Sequence, residues 1–278
     1  MVLIENIEKL KEVLFRVKSN GKSISLVPTM GALHQGHLSL IEKARHESQV
    51  VVVTIFVNPT QFNNAEDLAK YPRTLDKDLE LIQEYTDIVF APSVEEMFPT
   101  PPSESFHFGS LEKVMEGASR PGHFNGVGII VKRFFDLIKP DKAYFGEKDF
   151  QQLAIIKDLV KQNNIEITIV PCPTVREENG LAMSSRNQRL TPEQRDRASL
   201  VYHILLQSQK MDAPGIQEIC TFVKSEIAKM EDIELDYFQI VDDTTLEEVE
   251  SFENHPGVVG CVAFFIGNVR LIDNIRYH

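Results

Sequence analysis

Cysteine is scarce. Cys172, Cys220 and Cys261 are three in 278 residues, odd in number and too widely spaced for a disulfide framework or a zinc knuckle. Long apolar runs are missing as well. The best stretch, Val50–Val57, is far short of the ~20 residues a membrane helix needs. No block of lysine or arginine occurs, and 29 basic against 41 acidic residues give a formal charge of −12. Such a chain is ill-suited to wrap nucleic acid or coat an anionic membrane, which leaves a local basic pocket for a small phosphate ligand. The opening MVLIENIEKLKEVLF places charges every few residues and so lacks a signal-peptide apolar region. A reducing, cytoplasmic setting is expected. Neither a Walker GKS/GKT sequence nor a GxGxxG fingerprint is present, nor any internal repeat. What remains, 42% apolar and 25% charged, is ordinary for a globular protein of one large or two modest domains.

Strand and helix signals alternate through the first 170 residues. Ile7, Leu10, Leu14 and Val17 step at helical spacing across 5–18. SISLVP (23–28) is a short buried strand, and a helix runs from His37 to about Ser48. VVVTIFV (51–57) is the β-branched run of a strand covered on both faces of a parallel sheet. Leu75–Tyr85 predicts a helix and DIVFAP (87–92) a strand. Val127, Ile130, Val131, Phe134, Phe135 and Ile138 mark an amphipathic helix. KAYFG (142–146), Phe150–Gln162 and IEITIVP (165–171) continue as strand, helix and strand. This order predicts an open parallel sheet with helices on both faces. The texture changes near residue 172, where PCPTVREENGLAMSSRN is loop-like. Thr191, Pro192 and Gln194 then form a helix start with a capping box, and a second helix follows Pro214. LDYFQIV (235–241), GVVGCVAFFIG (257–267) and VRLIDNI (269–275) read as antiparallel strands. The expected fold is therefore α/β: a Rossmann-like parallel-sheet N-terminal domain, 1–174, and a smaller α+β C-terminal domain, 175–278.

Three constellations carry chemistry. Pro28 to His37, PTMGALHQGH, follows the first strand and opens a helix, where ligands sit in doubly wound sheets and where free N–H groups and the helix dipole favour phosphate. His34 and His37 are three apart and share a face of the first turn. Glycine punctuates any such loop and two histidines can coincide, so either feature alone would carry nothing; HxGH at this point predicts a nucleotide site. Gly146-Glu147-Lys148-Asp149 is the second strand-to-helix junction. Lys148 there can meet a triphosphate as a point charge, while Asp149 either caps the helix or accepts from a ribose hydroxyl. Met183-Ser184-Ser185-Arg186-Asn187 has hydroxyls, backbone donors and an arginine fork suited to anions, although alone it would read as a solvated linker. Asn58 and Gln61 should point to the same cleft, and Arg120 and His123 either help form its wall or belong to a plain turn. His46, His107, His203, His255 and His278 show no ligand spacing and read as surface or filler. Asp76 and Asp78 read as a solvated helix start, with a magnesium role as the lesser alternative.

Taken in order, VPTMGALHQGH (27–37), VVVTIFVNPTQF (51–62), YPRT (71–74), EGASRPGHFNGV (116–127), YFGEKDFQQL (144–153), LAMSSRN (181–187) and RLIDN (270–274) resemble the pantothenate synthetase (pantoate–β-alanine ligase) family over nearly the whole chain. That family belongs to the nucleotidyltransferase superfamily shared with class I aminoacyl-tRNA synthetases. The resemblance implies ATP-dependent condensation of pantoate with β-alanine through a pantoyl adenylate, with Mg2+, releasing AMP and pyrophosphate. It implies that Met30, Gly31, Ala32, Leu33, His34, Gln35, Gly36 and His37 form one ATP wall, with His37 as proton donor, and that Gly146, Glu147, Lys148 and Asp149 form another. Lys148, Ser184, Ser185 and Arg186 would hold the β and γ phosphates beside Met183, and Val175 would meet the adenine. Gln61 and Gln152 match the pantoate-binding pair, and Gln61 also reaches β-alanine; Asn58 and Arg120 are secondary candidates. No magnesium ligands are assigned. A homodimer is expected, with the C-terminal domain as a lid. The competing expectations are an adenylyltransferase that leaves AMP on its product and a silent nucleotide-sensing module. A tRNA synthetase is excluded by the lack of a basic anticodon-reading domain.

Overall fold

A computed structural model describes residues 1–63, 65–212 and 214–277; the side chain of Asp67 is outside the description too, as is His278, expected at the surface. The chain divides into two compact units. The first comprises 1–108, 119–147 and 152–173; the second comprises 174–278 together with 109–118 and 148–151. Two short segments of the N-terminal half, one of them containing Lys148, thus group with the C-terminal unit.

The first unit is built on strands β1 (Val2–Ile4), β2 (Ile24–Thr29), β3 (Val50–Ile55), β4 (Ile88–Phe90), β5 (Lys142–Gly146) and β6 (Thr168–Cys172), with α1 (Ile7–Ser19), α2 (Gln35–Glu47), α3 (Ala65–Lys70), α4 (Leu75–Ile82), α5 (Val94–Met97), α6 (Met115–Ser119), α7 (His123–Ile138) and α8 (Phe150–Gln162) between them. Chain order places α6 and the start of α8 in or beside the segments that join the second unit. The strands form one sheet in the order β1-β4-β3-β2-β5-β6, all parallel. Val50 to Val53 are buried, as the β-branched run predicts for a strand covered on both sides. Leu38, Ile41 and Ala44 of α2 turn into the same core as Val27, Val51, Val53 and Val89. The strand order reverses between β2 and β5, so the carboxyl ends of those two neighbouring strands flank the switch point at which doubly wound sheets bind ligands.

The differences from expectation are local. Strand β1 is absent from the sequence pattern because three residues carry no period; pairing with β4 makes it a strand. Phe56 and Val57 leave the sheet, since the chain turns into the Asn58-capped 3-10 turn Pro59–Gln61. The strand predicted from 165 begins at Thr168, because left-handed Asn164 (φ 49°) closes α8 and Ile165 N–H bonds back to the Val160 carbonyl. The helix predicted to Tyr85 ends at Ile82, and Tyr85 N–H closes the final turn on Ile82.

The second unit has α9 (Pro192–Gln209), α10 (Ile216–Ala228) and an antiparallel sheet of β7 (Ile233–Asp242), β8 (Val258–Ile266) and β9 (Val269–Arg276). Thr191 and Gln194 make the predicted capping box at α9. Gly267 at φ 57° supplies the left-handed residue of the two-residue β8–β9 turn. Along β9, Val269, Leu271 and Ile275 join the core with Val223 and Ile227 of α10, so Asp273 shares their face while Arg270 and Asn274 lie on the other.

One turn of this unit supports a stability prediction. The Asp242 carboxylate accepts from His255 Nδ1 at 2.9 Å and from the N–H groups of Thr244 and Thr245, each at 2.9 Å. The His255 bond first, then the turn N–H groups, hold its pKa at about 2 against an ordinary 3.8. A depressed carboxylate stabilises the fold above its unfolded pKa, worth about 2 kcal/mol here, and loses that contribution as pH falls from about 4 to about 2. Asp242→Asn is expected to lower the unfolding free energy by about that amount at pH 7, with the gap to the parent closing below pH 4. A gap independent of pH would show that the charge is not the stabilising feature.

Candidate active site

The loop after β2 is held open by conformations few residues adopt. Gly31 sits at φ 83° and Ala32 at φ 50°; the latter is a left-handed alanine, costing roughly 1–2 kcal/mol. The compensation comes from Asp78 on α4. Its carboxylate is 2% exposed and accepts from Ala32 N–H at 3.0 Å, Leu33 N–H at 2.8 Å and Thr74 Oγ1 at 3.2 Å. Asp78 is therefore no part of a solvated helix start, and its oxygens are committed to the loop. Exposed Asp76 matches that expectation.

His34 is the N-cap of α2: its Nδ1 accepts from Gly36 N–H at 3.1 Å, and His37 Nδ1 accepts from His34 N–H at 3.3 Å. The two rings stand 4.1 Å apart. An imidazole nitrogen that accepts a backbone N–H carries no proton, so each neutral ring bears its proton on Nε2. Two histidines thus become hydrogen-bond donors at the N-terminus of a 13-residue helix, where negative charge is favoured.

The amides after β3 are brought together. Asn58 Nδ2 donates to Gln61 Oε1 at 3.1 Å and to the Gly126 carbonyl at 3.0 Å, while Asn58 Oδ1 accepts from Thr60 N–H and Oγ1. Gln61 Nε2 lies 3.0 Å from Met30 Sδ. Buried His123 bonds through Nδ1 to the Gln61 carbonyl at 2.8 Å; facing a carbonyl, that nitrogen holds the proton. Asn58 and His123 therefore position Gln61, one through its side chain and the other through its main chain. Gln152 lies half-buried on α8, and Arg120 half-buried in the turn before α7. Helix α7 approaches Gln61 through Gly126, where a Cβ would fall 2.3 Å from the Thr60 oxygen and 2.7 Å from Gln61 Cα. Since both atoms are backbone, Gly126→Ala is expected to destabilise by about 1–3 kcal/mol, read as a lower denaturation midpoint; an unchanged midpoint would mean that α7 can yield.

Gly146 ends β5 in the first unit, and the 3-10 turn Glu147–Asp149 follows, its Lys148 and Asp149 grouping with the second unit. The Lys148 side chain is 17% exposed, with Nζ 3.8 Å from Asp149 Oδ1. Ser184 caps a second 3-10 turn, Ser185–Arg189, by accepting from Arg186 N–H. That turn is anchored by buried Asn187, which donates to Glu177 Oε1 at 2.7 Å and to the Ala182 carbonyl at 3.1 Å. Val175 receives the Met183 N–H on its carbonyl at 3.0 Å, so Val175, Met183 and the serines share one hairpin. Thiol chemistry is disfavoured: burial pushes Cys172 up to about 11 and Cys261 up to about 12, far from a thiolate at neutral pH. Among the described residues no three His, Cys, Asp or Glu side chains cluster to hold a metal ion, and no helix is long and apolar enough to cross a membrane.

A six-stranded parallel sheet with a histidine-capped helix at its switch point defines a Rossmann-like α/β protein, a class whose members bind ligands at the strand ends. The family model described as Pantoate-beta-alanine ligase matches residues 2–276. The pantothenate synthetase of Bacteroides fragilis is 50% identical over 279 residues, covering 100% of this chain and 99% of that protein. The crystal structure of pantothenate synthetase from Thermus thermophilus matches with a TM-score of 0.94 at 40% identity over the whole of both chains. A pantoate–β-alanine ligase from Francisella tularensis, complexed with β-γ ATP and β-alanine, matches at TM-score 0.83 and 36% identity, covering 100% of this chain and 98% of that one. The chain belongs to the pantoate–β-alanine ligase family, and it is a ligase.

Proposed function

We propose that the chain joins pantoate to β-alanine in two steps. A carboxylate resists attack by an amine because its charge repels the nucleophile and oxide is a poor leaving group. In the first step a pantoate carboxylate oxygen bonds to the α-phosphorus of ATP, the bond to the bridging oxygen breaks, and pyrophosphate leaves. In the second the β-alanine amine bonds to the acyl carbon, AMP leaves with the electron pair, and the amine loses a proton. The protein's task is alignment and stabilisation of charge on the phosphates.

The observation that carries this proposal is that the Nδ1 atoms of His34 and His37 both accept backbone N–H groups, which leaves Nε2 as the donor of each neutral ring. Neutral donors suit an α-phosphate whose non-bridging oxygens take on charge as the pantoate carboxylate adds, with His37 as the principal one. Lys148, Ser184, Ser185 and Arg186 hold the β and γ phosphates. Val175 meets the adenine, and Gln61 and Gln152 bind pantoate, Gln61 reaching β-alanine as well. The nucleotide enters as its magnesium complex. Magnesium would be held mainly through the phosphate oxygens of the nucleotide, where it would offset their charge, and no residue of the chain is assigned to it. The proposal extends to a homodimer working in the cytoplasm.

The test is incubation with ATP, Mg2+, pantoate and β-alanine, each omitted in turn, scoring AMP and amide. Equimolar AMP and amide only in the complete mixture are expected. A final product that retains AMP would replace the ligase with an adenylyltransferase.

A further inference from the structure

Lys148 lies two residues beyond the end of β5 in the chain, yet its peptide is fastened to the C-terminal sheet. Asn274 Nδ2, on β9, donates to the Lys148 carbonyl at 3.0 Å. The rest of the short segment is fastened beside it. Gln151 accepts from Glu116 N–H at 2.9 Å and donates to the carbonyls of Leu111 and Val114 at 2.7 and 2.9 Å. Glu116, 7% exposed, takes a two-pronged bond from Arg270 at 2.7 and 2.8 Å. Arg270 and Asn274 are four apart on one face of β9.

The opposite face of the same strand holds the serine hairpin. Asp273 accepts both prongs of Arg176 at 2.7 and 2.9 Å with its side chain 6% exposed, and Asn274 N–H returns to Asp273 Oδ1 at 2.8 Å. Arg176 pairs with Ala182 across the hairpin, donates to the Gly180 carbonyl at 3.1 Å and stacks 3.4 Å over the Tyr202 ring. Two consecutive residues of β9 therefore hold two segments that are well separated in the chain.

We propose that Asn274 is a positioning residue for nucleotide activation: its amide holds the main chain at Lys148 on the strand whose Asp273 holds, through Arg176, the hairpin of Ser184–Arg186, so that both groups meet the triphosphate with one fixed mutual geometry. The inference rests on the assignment of Lys148 and the serine hairpin to the phosphates. A part-buried carbonyl that loses its donor is free to turn toward another, and a displacement of about 1 Å at a positioned group costs up to about 10²-fold. Aminolysis of an adenylate already formed involves neither the β nor the γ phosphate and should not feel the shift.

Asn274→Ala is expected to lower pantoate-dependent ATP–pyrophosphate exchange at least about tenfold, while amide formation from supplied pantoyl adenylate stays within about twofold. Combined with Lys148→Ala, it should add little further loss, since both changes remove the same contribution. Asn274→Asp, equal in shape but without the donor, should repeat the effect. Equal loss in both half-reactions, or a fully multiplicative loss in the double variant, would assign Asn274 to general folding and overturn the proposal. Normal exchange by Asn274→Ala beside a crippled Lys148→Ala would overturn it alone, whereas normal exchange by Lys148→Ala would bring down the phosphate assignment beneath it.

Discussion

Lys148→Ala is expected to fold with a denaturation midpoint close to that of the parent and to lose about 10³-fold in adenylate formation. The fold should survive because the segment is held by main-chain and Gln151 contacts rather than by the lysine side chain. Asn274 grips the Lys148 carbonyl, which alanine retains. The Lys148 ammonium has a long contact to Asp149 at 3.8 Å, an interaction at the weak end of ion pairs. Catalysis should suffer because pyrophosphate must leave bearing charge that a fixed cation in a sheltered site stabilises far better than water does. Lys148→Arg keeps the charge but replaces a compact ammonium with a planar fork, and should restore part of the rate. ATP–pyrophosphate exchange reads both variants; near-normal exchange by Lys148→Ala refutes the role.

The second large effect is expected at Asp78, which is assigned no substrate contact of its own and acts through Ala32 and Leu33 of the loop it holds. Asp78→Asn keeps the shape and removes the charge. One carboxylate oxygen becomes an NH2 group facing a backbone N–H, either at Ala32 or at Leu33. Donor then opposes donor in a buried place, and a charge-assisted bond worth about 1.5–3 kcal/mol is gone. The left-handed Ala32 has lost its restraint, so the loop can relax and carry the capped histidines with it. The expected result is a lower midpoint together with a fall of about 10²-fold in kcat/KM. Activity should stay low well below the new midpoint, where the variant is still folded. Full activity at such temperatures would show that the loop holds its shape without the carboxylate.

Legibility in the sequence follows the range of the forces involved. The HxGH loop, the GEKD junction and the serine hairpin are readable because each is a contiguous string whose residue types suit a local geometry, and because strand–helix alternation places the first two at strand ends. Asp78 and Asn274 are not, since each acts on a partner 45 to 126 residues away. A faint signal exists for both faces involved. Asp78 lies three after Leu75 and four before Ile82, on the apolar stripe of α4. Asp273 falls in the inward phase of Val269, Leu271 and Ile275. A polar group in an apolar phase is costly unless it is paired, so each position announces a buried partner without naming it.

The sequence by itself determined the longer elements and their type, though not β1 or the short helices α3, α5 and α6, because hydrophobic period, capping chemistry and β-branched runs act within a turn or two of the chain and need several residues to show. It also determined the family, through seven motifs in a fixed order. Only the tertiary structure decided that Asp78 braces the histidine loop, that both histidines accept backbone N–H groups and so carry their protons on Nε2, and that Lys148 belongs with the C-terminal sheet rather than with the strand it follows. Those outcomes depend on which buried donor finds which acceptor once distant segments are in contact, and a pairing of that kind leaves no period in the chain to be read.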